Sequence, residues 1–203
     1  MSRAVLISIL PKWCELIASG EKTIEVRKTA PKIETPFKCY IYETQGKTDT
    51  PWMDEDGHMV FRGRGAVISE FVCDRIIEWH YIPDPDESAD PGSMAYDVLT
   101  VDGEKTGLEY DDFEDYGKGA PLYGWHISNL VIYDTPKELS EFYRWYDGTT
   151  DIRPCENGKP CDHLVFDYSE DHEACGIDYD GENCPFLKVS RPPQSWCYVE
   201  ELT

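Results

Sequence analysis

The chain has 203 residues and a formal net charge of −21, with 40% hydrophobic, 29% charged and 13% aromatic residues. That composition excludes wholesale disorder, and the lack of any run of about 18 apolar residues excludes a helical membrane span. The acid excess is uneven, since residues 1–47 carry +3 and the rest −24. A locally basic segment in an acidic chain can still hold a phosphate, while the acidic remainder keeps the protein soluble, or forms an acidic face that mimics nucleic acid or docks a basic protein partner.

Val5 to Ile9 is a β-rich run and reads as a first strand. Pro11 suits the first position of a helix, Trp13, Leu16 and Ile17 follow at helical spacing, and Gly20 supplies the stop. Pro11 and Lys12 also interrupt the short apolar patch at Met1–Leu10, which is too short for a secretory core. A cytoplasmic location is the expectation. Lys22–Arg27 and Phe37–Glu43 read as strands, and Asp56-Gly57 signals a hairpin turn inside Trp52–Arg64. Gly65–Trp79 reads as a long strand or bent pair, and 83–93 as an acidic, proline-rich loop. Leu108–Tyr116 suits a short acidic helix and Leu122–Tyr133 a long apolar strand. Pro136–Trp145 has a helical pattern, with Leu139, Phe142 and Tyr143 on one side. Ser195–Glu200 reads as the closing strand. Many strands and few short helices predict a mainly β (α+β) fold, with a closed barrel as the arrangement that removes free edges.

The segment Gly20 to Arg27 reads G-E-K-T-I-E-V-R. By the two-residue period of a strand, Thr23, Glu25 and Arg27 share one face, and Ile24 and Val26 the other. The apolar pair is expected to face the core and the polar trio to project together, with Lys22 reaching the same space from the turn. Arg27 offers a planar fork of donors, Lys22 a compact charge, and Glu25 an acceptor for an exocyclic amine. As chemistry, Glu25 could serve as general base toward water, with Lys22 or Arg27 holding an oxyanion. The plainer alternative is an exposed strand face with a weak Glu–Arg pair.

The opening L-I-S-I-L-P-K-W, the run S-G-E-K-T-I-E-V-R-K, the segment P-L-Y-G-W-H-I-S at 121–128 and R-P-P-Q-S-W at 191–196 together resemble the ASCH domain family, of the PUA-like superfamily. The resemblance covers roughly 3–146 and 190–201. It implies a PUA-like β-barrel over 1–146 plus 190–203, with a Cys-rich acidic insertion at 147–189 before the last strand. It also implies a cleft that takes RNA or a modified nucleoside, or, by analogy with some members, amidohydrolase action on N4-acetylcytidine. Lys22 then stands at the catalytic lysine. The position that the resemblance gives to a threonine holds Glu25, and Thr23 falls one place after the lysine.

Further candidates are Tyr123 and Trp125 as an aromatic wall for a stacked base, and Gln194 and Ser195 as readers of a base edge. Both aromatics could equally be core, and the prolines at 192–193 could simply lead the chain back to the last strand. His126 reads as a hydrogen-bonded residue rather than a catalyst. Cys14, Cys39, Cys73 and Cys197 lie singly and suit small buried thiols. Cys155, Cys161, Cys175 and Cys184 cluster in the insertion, where four thiolates could hold a structural zinc, with His163 or His172 able to replace one. Free thiols or disulfides are the alternatives. No cofactor is otherwise required. No phosphate-binding loop, dinucleotide fingerprint, zincin or serine-esterase motif occurs.

Overall fold

The computed structural model describes residues 2–45, 52–53, 59–60, 62–82, 95–96, 105–145 and 188–202. The Cys-rich insertion, with Cys155, Cys161, Cys175, Cys184, His163 and His172, and the acidic loop at 83–93 therefore lie outside the described residues. The strands are β1 (Arg3–Ile9), β2 (Ile24–Arg27), β3 (Phe37–Glu43), β4 (Trp52–Met53), β5 (Met59–Val60), β6 (Ala66–Trp79), β7 (Tyr81–Ile82), β8 (Ala95–Tyr96), β9 (Leu122–Lys137) and β10 (Trp196–Glu200). The helices are α1 (Pro11–Ser19) and α2 (Tyr110–Gly117), followed by a 3₁₀ turn at Leu139–Glu141.

One six-stranded mixed sheet dominates, in the order β10-β1-β3-β6-β9-β2. Only the β1–β3 pair is parallel within it. β4 pairs with β5 and β7 with β8 as separate two-residue ribbons, and the expected Asp56-Gly57 turn lies outside the described residues.

No backbone ladder joins β10 to β2 among the described residues, so the expected closed barrel is found instead as an open sheet. The sheet is nonetheless strongly curled. Six flat strands would hold the edges roughly 24 Å apart. Here Trp196 Nε1, on β10, donates to Thr29 Oγ1 just beyond β2 at 3.0 Å, and the Lys32 N–H donates to Tyr198 Oη at 2.6 Å. The physical cause lies in the long β6–β9 pair, whose register shifts at Val67/Ser69, Glu70/Val72 and Cys73/Ile76. Such irregularities bend and twist a ladder. Asn129, with φ 48°, takes the left-handed conformation in this stretch of β9.

β1 is buried on both faces from Ala4 to Ile9, which explains why that stretch is apolar apart from Ser8. Val5, Ile7 and Ile9 face the main core with Phe71 and Trp125, while Ala4 and Leu6 pack with Tyr40 and Phe142. α1 closes one end of the main core with Cys14 and Ile17, and Gly20 (φ 77°) ends it, its N–H donating to Ile17 O at 3.1 Å. A third cluster lies beneath α2, where Ile24, Val26 and Leu122 pack with Trp79 and Phe113.

The helix expected over Pro136–Trp145 does not form. β9 continues to Lys137, a single 3₁₀ turn follows, and Phe142 is extended and fully buried against Tyr40, with ring centroids 4.9 Å apart. The backbone here finds partners elsewhere in the chain: Val189 N–H donates to Phe142 O, Glu200 N–H to Tyr143 O and Trp145 N–H to Tyr198 O. Long-range bonds and the burial of Phe142 outweigh the local pattern. Among the described residues no helix is long and apolar enough to cross a membrane.

Candidate ligand-binding cleft

The G-E-K-T-I-E-V-R motif is fixed from three sides. From α1, the Lys22 N–H donates to Leu16 O at 2.8 Å. From the sheet, β2 pairs antiparallel with β9, setting Glu25 opposite Trp125 and Arg27 opposite Tyr123. From the chain leading into α2, Lys105 O accepts from the N–H groups of Thr23 and Ile24, at 2.8 and 3.0 Å, and the Lys105 N–H donates to Thr23 Oγ1 at 2.9 Å. Thr23 is thus committed to this approach segment and does not line the cleft.

Ile24 and Val26 face a core, as their spacing implies, but the charged residues are not a projecting solvent face. Lys22 is 3% exposed, Glu25 5% and Arg27 9%. Glu25 sits between the cations, with Oε2 3.4 Å from Lys22 Nζ and Oε1 3.0 Å from Arg27 Nη2. Lys22 Nζ also donates to Thr106 O and stands 5.2 Å from the Trp13 ring centroid. Arg27 Nη2 also donates to Ser8 O at 2.6 Å, while its buried Nε–H has no partner among the described residues. Each charge is therefore compensated, which burial demands. Desolvation lowers the Lys22 pKa below the usual lysine range, against the opposing pull of Glu25.

Above this triad opens a cleft of about 440 Å³. Ser8, Leu10 and Trp13 line one side, and Leu108, Asp112, Asp115 and Tyr116 line the other. That volume suits a small organic ligand. α2 owes its place to its own capping, in which the Glu109 N–H donates to Asp112 Oδ2 at 2.9 Å, and to Phe113, which packs edge-on against Trp79 with ring centroids 5.6 Å apart. Desolvation raises the Tyr116 pKa, with Glu25 adding to the effect and Arg27 opposing it.

The structure brings Lys22, Glu25 and Arg27 together but places the other sequence candidates elsewhere. Trp125 is fully buried, edge-on to Phe37 (6.1 Å) and Trp196 (5.9 Å). Tyr123 Oη lies 3.4 Å from Glu78 Oε1, away from the cleft. Among the described residues the cleft's aromatic rings are Trp13 and Tyr116, one from each helix. Trp13 was legible as a helical residue, and its partly exposed position is the signal that could have marked it. Tyr116 was legible only as part of a short acidic helix. Gln194 is exposed and outside the lining. Ser195 contributes its backbone, accepting from the Ser8 N–H at 2.9 Å, while Pro193 O accepts from Ser8 Oγ at 2.7 Å. This segment thus buttresses Ser8 at the cleft rim. His126 Nδ1 lies 2.6 Å from Asp74 Oδ1 outside the cleft. Desolvation would raise the Asp74 pKa, but the hydrogen bond and charge interaction with His126 and the hydrogen bond with Ser128 together outweigh it and hold it low. Of the single cysteines, Cys14, Cys39 and Cys73 are buried free thiols, and Cys197 is half-buried. Burial pushes the Cys73 thiol up to about 12 and Cys14 higher still, so neither is poised as a nucleophile. No group of three metal-ligating side chains occurs among the described residues.

No family model and no curated protein matches the chain. Among solved structures it is similar to ASCH from Zymomonas mobilis, at 16% identity, covering 75% of this chain and 83% of that one, with a TM-score of 0.46. Two mutants of the same Zymomonas mobilis protein are similar at 17% identity and 75% of this chain. They cover 86% and 84% of their own lengths, with TM-scores of 0.43 and 0.45.

Proposed function

We propose that the cleft binds a planar nucleobase, presented by a modified nucleoside or by single-stranded RNA. The observation that carries this reading is the buried Lys22–Glu25–Arg27 triad at the floor of a cleft with an aromatic ring from each helix. A nucleobase needs a ring to stack on and a polar edge to satisfy. Trp13 and Tyr116 offer the rings, and stacking contributes about 1–3 kcal/mol per base. Lys22 and Arg27 donate to a carbonyl oxygen, and Glu25 accepts from an amine. The G-E-K-T-I-E-V-R resemblance points the same way.

A second reading, hydrolysis of an acylated base, is favoured by one observation: Lys22 is desolvated and its pKa lowered, which readies a lysine for proton transfer. Against it, both oxygens of Glu25 are already paired with cations, and Thr23 Oγ1 is bonded outside the cleft.

One experiment addresses both. Cytidine, N4-acetylcytidine and a short unstructured RNA are titrated calorimetrically into the wild type and Tyr116→Ala, and acetate release is followed in parallel. Binding that weakens about tenfold in Tyr116→Ala is expected. No binding of any probe by the wild type overturns the proposal. Acetate release that is lost in Lys22→Met turns the binding site into an amidohydrolase.

A further inference from the structure

We propose that Asp112 and Asp115 on α2 are specificity-determining residues that exclude phosphorylated ligands from the cleft. This rests on the nucleobase reading and narrows it to uncharged molecules over nucleotides.

Among the described residues the charged side chains lining the cleft are Lys22, Arg27, Glu25, Asp112 and Asp115, a formal net charge of −1. Their depths differ. The cations are buried at the floor, whereas both α2 carboxylates are exposed at the mouth. The cations are also already engaged, Lys22 with Glu25 and Thr106 O, and Arg27 with Glu25 and Ser8 O. The Lys22 ammonium carries three N–H groups and the Arg27 guanidinium five, more than these contacts use, so the floor still offers donors. A neutral carbonyl oxygen meets such a donor without bringing in an uncompensated charge.

A base seated on this floor leaves its sugar and 5′ end at the mouth. A 5′-phosphate there carries nearly two negative charges and meets two carboxylates. The amino end of α2, where an anion would otherwise settle, is taken by the helix's own carboxylate cap, Asp112 Oδ2 on the Glu109 N–H. Lys12 and Lys28 stand over the rings of Trp13 and Tyr116, at 5.0 and 4.8 Å, outside the lining. The net charge of −21 adds a long-range field of the same sign.

The test compares cytidine and N4-acetylcytidine with their 5′-monophosphates by calorimetry at low salt. The proteins are the wild type, Asp115→Asn and the double variant Asp112→Asn/Asp115→Asn. Asparagine at 112 keeps an amide oxygen for the Glu109 N–H, and Asp115→Asn leaves that cap untouched. The wild type is expected to prefer the nucleoside at least about tenfold, a preference that shrinks as salt rises. Monophosphate affinity should rise about tenfold in the double variant and by an intermediate factor in Asp115→Asn. If the nucleoside binds but the monophosphate binds equally well, or the preference survives the double variant, the filter is overturned and the nucleobase reading stands. If neither ligand binds the wild type, the nucleobase reading falls and the filter falls with it.

Discussion

Replacing Glu25 by glutamine keeps the side chain's shape and removes the charge that joins two buried cations. Lys22 and Arg27 are 3% and 9% exposed, so water cannot take over the lost role. At contacts of 3.4 and 3.0 Å the gross attraction is about 5 kcal/mol each at an effective dielectric near 20. Much of that offsets the desolvation of Glu25 itself, and Thr106 O and Ser8 O still hold the two cations. The expected net loss is about 3–5 kcal/mol, the range for breaking a buried pair from one side. For a chain of this size that lowers Tm by roughly 10 °C. Urea unfolding followed by tryptophan fluorescence measures the loss, and pH adds an internal check. The folded-state pKa of Lys22 is lowered, so above it, and up to the unfolded lysine value, the unfolded chain binds more protons and stability rises with pH. Losing Glu25 removes an interaction that raises this pKa, so the window opens at lower pH in the variant. The deficit of Glu25→Gln should therefore shrink between neutral and alkaline pH. An unchanged urea midpoint at neutral pH, or a deficit that grows with pH, refutes the view of Glu25 as the counter-ion of buried cations.

Gly124→Ala should cost about 1–3 kcal/mol in the same unfolding assay. Its added Cβ would stand 2.5 Å from Trp79 Cη2 and 3.0 Å from Ile24 Cγ2, and Trp79 is boxed in by Phe113. A wild-type midpoint would show that this packing gives way freely. Tyr123→Phe should leave nucleoside affinity unchanged, because Tyr123 lies outside the cleft lining, and a tenfold loss would return it to the ligand wall. Protein purified without chelator should carry about one zinc per chain by atomic spectroscopy if Cys155, Cys161, Cys175 and Cys184 form a four-thiolate site, and zinc well below that ratio rejects the site.

Much of the candidate site is legible in the sequence, because it is local. Gly20 had to end a helix, the chain had to re-enter as a strand, and period two had to separate Ile24 and Val26 from Glu25 and Arg27. The fate of the charged face was not legible. Alternation says which residues share a side, but not whether water or another element covers it, and here α2, some 85 residues later, covers it together with Ser8 and Trp13. The aromatic wall failed for the same reason. Tyr123 and Trp125 do pair in register with Arg27 and Glu25, yet the curl of the sheet directs Trp125 onto Trp196 and leaves the cleft to Trp13 and Tyr116.

The sequence by itself determined the strands whose apolar runs have one reading, β1, β3 and β10. It also determined α1, whose proline start and glycine stop act through neighbouring backbone alone. Only the tertiary structure decided what depends on distant partners. The segment at Phe142 is extended because the N–H groups of Val189 and Glu200 donate to the carbonyls of Phe142 and Tyr143. The sheet curls without closing because its bulges bend it while Thr29 and Trp196 bridge its edges through side chains. Lys22, Glu25 and Arg27 become a compensated buried triad because α1, β1 and the approach to α2 supply the carbonyls and walls that a strand alone cannot provide.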